Sequence, residues 1–222
     1  MEVPWKLVVD VSLHLVLIGP PGSGKGTQAV RLARRYSIPH ISTGDILRQA
    51  VRDETPLGRQ VAAIMASGAL VGDDLISSLV EERLARRDAA QGFLLDGFPR
   101  TEAQAQVLDG LRRHLLVVHI SASDDEIVRR LGSRRICKSC GLTQSVPEND
   151  LYSEDCPYCG GSLIRREDDE PETVRKRLTT YAALAGPLIA LYSSRPGYIA
   201  VDGLEAPDKV TAAIFAALDA RR

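Results

Sequence analysis

Residues 19–27 read Gly-Pro-Pro-Gly-Ser-Gly-Lys-Gly-Thr and follow directly on the apolar run Leu15, Val16, Leu17, Ile18. A strand feeding a glycine loop that opens a helix turns backbone N–H groups inward, where they face the oxygens of a polyphosphate. Gly19, Gly24 and Lys25 satisfy the spacing G-x-x-x-x-G-K, and Lys25 reaches the outer phosphates as a point charge. Gly22, Ser23, Gly24, Lys25, Gly26 and Thr27 are therefore candidate phosphate ligands. One position departs from the common form: Gly26 stands where Ser or Thr usually gives Mg²⁺ a hydroxyl, and Thr27 comes one place later.

A second constellation, Asp96-Gly97-Phe98-Pro99-Arg100, follows the apolar run Phe93-Leu94-Leu95. A carboxylate at a strand end beside a phosphate loop is placed to hold Mg²⁺ through water, and the alternative is an exposed turn residue. Arg100 could clamp a second phosphate. A third constellation is cationic: Arg130 and Arg134 are four apart, while Arg166, Arg175 and Arg177 lie further along. Such a run is often only a solvated face. It also suits two nucleotides meeting end to end, because guanidinium forks fit the equatorial oxygens of a transferring phosphoryl group.

Cys137, Cys140, Cys156 and Cys159 form C-x₂-C-x₁₅-C-x₂-C. Two such knuckles can set four thiolates around a tetrahedral ion, with no coordination position left open for catalysis. Gly141 and Gly160 follow the knuckles, where the turn requires positive φ. The spacing reads as structural zinc, with a redox dithiol or a metal-free relic as the other readings. His14, His40, His114 and His119 have neither metal spacing nor a partnered nucleophile and read as structural.

These residues need a scaffold. Strands are expected over Leu13–Ile18, His40–Ser42, Phe93–Asp96, Leu115–Ile120 and Tyr198–Asp202. Helices are expected over Lys25–Tyr36, Asp73–Arg87, Thr101–Arg113, Asp124–Leu131 with a Ser123 cap, from Pro171 on, and Ala206–Ala220. Alternation of strand and helix predicts an α/β fold with a mainly parallel sheet covered on both faces, and sites at the carboxyl ends of its strands. Residues 42–71, helical without a strand pattern, and the turn-rich 133–169 break the alternation and read as inserts. The 222-residue chain carries a net charge of −1, which argues against a nucleic-acid binder. No apolar run is long enough for a membrane span, and residues 1–12 carry no secretory pattern, so a cytoplasmic protein with reduced cysteines is expected. Residues 1–12 could lengthen the first strand, pair at an edge or stay loose.

The strings at 19–27, His-Ile-Ser-Thr-Gly-Asp-Ile-Leu-Arg (40–48), Gly-Phe-Leu-Leu-Asp-Gly-Phe-Pro-Arg-Thr (92–101), the cysteine segment and Glu-Thr-Val-Arg-Lys-Arg-Leu (172–178) resemble the bacterial-type adenylate kinases whose lid carries zinc. The resemblance runs from about residue 13 to the end. It implies a P-loop kinase core (1–41, 72–132 and 170–222) with a five-stranded parallel sheet, a helical AMP-binding insert (42–71) and a zinc-binding lid (133–169). It implies reversible transfer of the terminal phosphoryl of ATP to AMP, with Mg²⁺ as catalytic ion, Zn²⁺ as structural ion, and a monomer. By this resemblance Gly22–Thr27 hold the ATP phosphates. Thr43, Arg48, Ala69, Leu70, Val71, Gly97, Phe98, Pro99, Arg100 and Gln104 hold AMP. Arg134, Arg166 and Arg177 sit on the transferring phosphates, with Lys25, Asp96 and Arg100 completing the catalytic set. Arg130 lies near the ATP adenine, Thr143, Gln144 and Glu205 near its ribose or base, and Asp168 and Asp169 match an acidic pair of the lid.

Some positions depart from the family. Gly132-Ser133 alters the run before the Arg pair, the knuckle spacing is one residue short, Gly72 replaces Pro or Thr, and Gln144 stands where an aromatic is frequent. The competing readings are a UMP/CMP kinase or a GTP-using phosphotransferase, and a non-catalytic zinc ribbon. Thr43, Arg48 and Gln104 favour AMP. The chain's near-zero net charge and the few aromatics of its cysteine segment (Tyr152, Tyr158) weigh against nucleic acid.

Overall fold

The computed structural model describes residues 12–146 and 155–221. The expectations for residues 1–11 and for Tyr152 lie outside them. Along the chain run β1 (Leu13–Ile18), α1 (Lys25–Tyr36), β2 (His40–Ser42), α2 (Thr43–Arg52), α3 (Pro56–Ala66), α4 (Asp73–Leu84), β3 (Gly92–Asp96), α5 (Glu102–Leu111), β4 (Leu115–Ser121) and α6 (Asp124–Ser133). Then come β5 (Arg134–Cys137), β6 (Thr143–Ser145), β7 (Leu163–Ile164), α7 (Pro171–Ser193), β8 (Tyr198–Asp202) and α8 (Pro207–Asp219).

The main sheet has five strands in the order β2-β3-β1-β4-β8, all pairs parallel. Parallel neighbours need helical crossovers, which cover both faces, so the strands read as nearly unbroken apolar runs. Alternate residues face opposite layers. Val16, Ile18, Phe93, Leu95 and Val117 join Leu47, Val80, Leu108 and Tyr192 in one core cluster. Leu15, Leu17, Leu94, Val118 and Ile120 pack with Ala29, Leu32, Ile214 and Leu218 in the other. Each fully buried Leu, Val or Ile contributes about 1.5–3 kcal/mol relative to exposure. This packing makes the strand ends a fixed platform: Ile18, Ser42, Asp96, Ser121 and Asp202 end their strands on one edge, from which the phosphate loop springs.

Several boundaries differ from expectation. α4 stops at Leu84, and a separate 3₁₀ turn covers Arg87–Ala89. Arg83 forks both oxygens of Asp88 there at 2.9 and 2.7 Å. Thr101 is the N-cap of α5 and not its first residue, accepting the Gln104 N–H at 3.2 Å. α5 ends at Leu111 because Arg112 is extended. Ser123 sits at the N-cap of α6 but makes no side-chain bond, and its carbonyl accepts the Ile127 N–H at 3.0 Å. The cysteine segment, expected as turns, holds a small antiparallel sheet in the order β6-β5-β7. Strands of four, three and two residues are too short for a legible period. The stretch 42–71 holds α2 and α3, as the helical reading required. Among the described residues no helix is long and apolar enough to cross a membrane.

Candidate functional site

The phosphate loop is shaped by two glycine positions. Gly19 adopts φ +145, and a Cβ there would meet the Ile120 carbonyl oxygen at 2.3 Å, so only glycine lets the loop pass under β4. Gly24 caps α1 in the left-handed region, with no side-chain cap and no acidic residue in the first turn. The positive end of α1 therefore points unneutralised into a cleft of about 1260 Å³. Lys25 Nζ lies beneath the loop and donates to the carbonyls of Gly19 at 2.9 Å and Pro20 at 2.7 Å. Loss of solvent, reinforced by Arg100, Arg177 and Arg134 and opposed by Asp96, brings its ammonium down to about 8.

Asp96 ends β3 beside this lysine and is not the exposed turn residue of the alternative reading: its side chain is 14% exposed. Burial disfavours its charge, but His40 and Lys25 on either side outweigh that and hold the carboxyl below its usual range. A Cβ on Gly26 would stand 3.7 Å from Asp96 Oδ2, so glycine leaves this flank of the carboxylate open. The oxygen donors at hand, Asp96 and the exposed Thr27 hydroxyl, suit a hard cation such as Mg²⁺.

The arginines come together from four elements. Arg134, at the start of β5, bonds both oxygens of the fully buried Asp169, through Nε at 2.6 Å and through Nη2. Arg177 on α7 lies 3.0 Å from Asp168 Oδ2 as an ion pair and donates to the Asp168 carbonyl at 2.8 Å. Arg48 on α2 reaches Asp45 at 2.6 Å and lies 3.7 Å from Asp168. Arg166 donates to Thr143 Oγ1 at 3.4 Å, and burial followed by Arg48 and Arg134 brings its guanidinium down to about 10. Crowded, partly desolvated cations of this kind favour an incoming anion. Arg130 is held by Glu126 at 2.6 Å and by the Gly203 carbonyl at 2.7 Å, on the cleft wall with Thr143, Gln144 and Glu205. Arg175 is exposed and lines neither cavity, so for it the solvated-face reading holds.

A second cavity of about 70 Å³ is lined by Thr43, Arg48, Ala69, Leu70, Val71, Gly97, Arg100, Gln104, Asp168 and Arg177. Thr43 Oγ1 donates to the Gly97 carbonyl at 3.0 Å, tying the start of α2 to the Asp96–Arg100 turn. Phe98 and Pro99 do not line it. Phe98 is fully buried in the core, and Pro99 faces the larger cleft.

The four cysteine sulfurs converge, all within 4.8 Å of one another, with Cys137–Cys159 at 3.5 Å and Cys140–Cys156 at 3.6 Å. Four thiolates about 2.3 Å from one tetrahedral zinc would be about 3.8 Å apart, so the set fits the ion. The Cys140 N–H, 3.4 Å from Cys137 Sγ, leads in pulling that thiol down to about 6, while the Cys140 and Cys159 thiols are shifted upward. Gly141 and Gly160 have φ of 74 and 69, as the knuckle turns required.

Sequence reasoning passed over two residues. His40 read as merely structural, yet its Nε2 lies 3.6 Å from Asp96 Oδ2. It opens β2, whose last residue, Ser42, pairs with Asp96 of β3, a neighbourhood that only the sheet order reveals. Asp73 was read only as the start of α4, but it accepts from Gln104 and Thr101. Two histidines do play structural parts: His14 stacks on Phe93 at 4.7 Å, and His119 pairs with the Tyr198 hydroxyl at 2.8 Å.

Comparison with known proteins agrees with this geometry. The adenylate kinase family model matches residues 17–196. The adenylate kinase of Kosmotoga olearia is 45% identical over 216 residues, covering 93% of this chain and 99% of that protein. That of Caldicellulosiruptor bescii is 45% identical over 212 residues, covering 93% and 99%. That of Treponema denticola is 44% identical over 201 residues, covering 90% and 96%. A phosphate loop and a second cavity at one parallel sheet, a four-cysteine cluster beside the small antiparallel one, and relatives this similar over nearly their whole length place the chain in the adenylate kinase family, among the nucleoside monophosphate kinases.

Proposed function

We propose that this chain transfers the terminal phosphoryl group of ATP reversibly to AMP, giving two ADP, with ATP in the larger cleft and AMP in the smaller cavity. One observation carries this arrangement: Arg48, Arg100 and Arg177 line both cavities. Their junction is where the phosphates of two nucleotides would meet. In-line transfer needs little covalent help from the protein, only positioning and neutralised charge.

In this reading the backbone of Gly22–Thr27 and the end of α1 cradle the ATP phosphates. Lys25 releases its loop carbonyls to reach the outer phosphates. Arg100, Arg134, Arg166 and Arg177 surround the transferring group, where one well-placed guanidinium is worth roughly 10³–10⁵ in rate. Asp96, with Thr27, would hold Mg²⁺, which would supply positive charge to offset that of the phosphates. Thr43, Arg48, Gln104 and the backbone of Ala69–Val71 and Gly97 hold AMP, while Arg130, Thr143, Gln144 and Glu205 flank the ATP base and ribose. Residues 1–41, 72–132 and 170–222 act as core, 42–71 as AMP insert and 133–169 as a lid whose closure excludes water that would otherwise take the phosphoryl group. Zn²⁺ on Cys137, Cys140, Cys156 and Cys159 would brace the lid. A monomer suffices, because one chain lines both cavities. A cytoplasmic setting belongs to this reading, supported by four free thiols.

The test is calorimetry with a dinucleotide that joins two adenosines through a polyphosphate, together with ADP formation from ATP and a panel of monophosphates. Tight binding lost in Lys25→Met and Arg100→Ala, and AMP as the preferred acceptor, is the expected result. Preference for UMP or CMP would reassign the acceptor, and failure to bind the dinucleotide would overturn the arrangement.

A further inference from the structure

Gln104 lines the smaller cavity, and the orientation of its carboxamide is not free. Gln104 Oε1 accepts the Arg100 backbone N–H at 2.8 Å, and Nε2 donates to Asp73 Oδ1 at 2.8 Å. Asp73 Oδ2 accepts the Thr101 hydroxyl at 2.7 Å, and Thr101 Oγ1 accepts the Gln104 N–H at 3.2 Å. A carboxylate only accepts and a backbone N–H only donates. Turning the amide over would set Nε2 against the Arg100 N–H and Oε1 against Asp73, in a residue only 2% exposed. Water cannot relieve two such contacts there. The amide therefore has one orientation, with one lone pair on Oε1 and one N–H on Nε2 still unused.

That pair matches a ring edge with an exocyclic donor beside a ring acceptor, the amino group and N1 of adenine. A 6-oxopurine presents the reverse, a carbonyl beside N1–H, and would need the amide turned over. Asp73 does not line either cavity and so touches no substrate itself. We propose that Asp73 is a specificity-determining positioning residue: by accepting from Gln104 Nε2 it fixes the amide in the orientation that takes a 6-aminopurine monophosphate and rejects a 6-oxopurine one. The inference rests on the reading that the acceptor base lies beside Gln104.

The experiment measures kcat and KM for AMP and for inosine monophosphate, which differ only at this edge of the base. Asp73→Ala lowers the AMP-to-inosine-monophosphate ratio of kcat/KM by about tenfold, mainly through a higher KM for AMP. Asp73→Asn still offers Gln104 an oxygen and keeps most of the ratio. Gln104→Ala lowers the ratio too, and adding Asp73→Ala to it changes nothing further, because the aspartate acts only through that amide. A purely structural role would slow both acceptors alike and leave the ratio in place. If the alanine variant does not fold, Asp73→Ser, too short to reach Gln104 but still polar at the first turn of α4, takes its place. An unchanged ratio in Asp73→Ala with a lowered one in Gln104→Ala overturns the inference and leaves the base site standing. Independent, additive losses overturn it as well. An unchanged ratio in both variants overturns the inference together with the placement of the base.

Discussion

Asp168 Oδ2 lies 3.7 Å from Arg48 Nη1, joining the base of the cysteine segment to α2 across the mouth of the smaller cavity. The same carboxylate is 3.0 Å from Arg177. The neighbouring arginines more than offset burial and hold the Asp168 carboxyl below its usual range. Asp168 thus supplies, from within the chain, charge that substrate phosphates would also supply. Asp168→Asn should destabilise the nucleotide-free protein by about 2 kcal/mol, since it leaves two partly buried guanidinium groups short of an anion. Saturating bisubstrate dinucleotide should restore most of the loss, because bound phosphates compensate the same cations. Melting curves with and without the dinucleotide read this directly. An equal loss in both conditions would show that the carboxylate and the phosphates do not share those arginines.

Lys25 makes a pH-dependent prediction. Its ammonium falls from an ordinary 10.5 to about 8 on folding. Between those values the unfolded chain binds more protons, so this residue's contribution to stability rises with pH from about 8 to 10.5, while its cost is constant below 8. Phosphates placed beside Lys25 favour the charged form. Binding of an ATP analogue near pH 8 should therefore take up about half a proton at this site. Calorimetry in two buffers of different ionisation enthalpy measures it. Lys25→Met should abolish that uptake and most turnover, yet leave the melting temperature equal or higher, since an apolar chain replaces a poorly solvated charge. Uptake that persists unchanged in the variant would move the titrating group elsewhere.

The cysteine cluster should carry one zinc in protein purified without chelator. Structural zinc is worth on the order of 10 kcal/mol in isolated peptides, and β5–β7 have little core of their own. Cys156→Ser should speed amide exchange across β5, β6 and β7 while β1, β3 and β4 keep their protection. Metal analysis that finds neither zinc nor iron would remove the ion from this account.

Gly58 on α3 is pressed against the backbone of α2. A Cβ there would come within 1.9 Å of the Ala50 carbonyl oxygen and 2.7 Å of the Val51 nitrogen. Backbone cannot step aside as a flexible side chain can. Gly58→Ala should cost about 1–3 kcal/mol and raise KM for AMP more than for ATP, because α2 carries Thr43 and Arg48. An unchanged melting temperature would mean that the two helices part without penalty.

The sheet was legible because its strands are apolar runs set between helical repeats, and all five main strands match expectation to within one residue at either end. The strand at Leu115 ran on to Ser121 and the helix at Asp124 on to Ser133. The segment around the cysteines was opaque for another reason. β6 and β7 have three and two residues, and metal-ligand spacing, not apolar pattern, marks that region. Phe98 was drawn into the acceptor site by its neighbours in sequence, whereas packing turns its ring fully into the core.

Chemistry that a few consecutive residues can encode was written in the chain itself. The glycines of the phosphate loop, Lys25 and each cysteine knuckle obtain much of their geometry from local backbone conformation, which a few consecutive residues can set. Which charge answers which was decided only by the tertiary structure. Asp73 meets Gln104 across 31 positions and Arg134 meets Asp169 across 35. Such partners are brought together by helix crossovers and the order of parallel strands. The energy that selects them is the cost of leaving a charge or an amide unpaired once it has been buried, and no local pattern in the sequence records it.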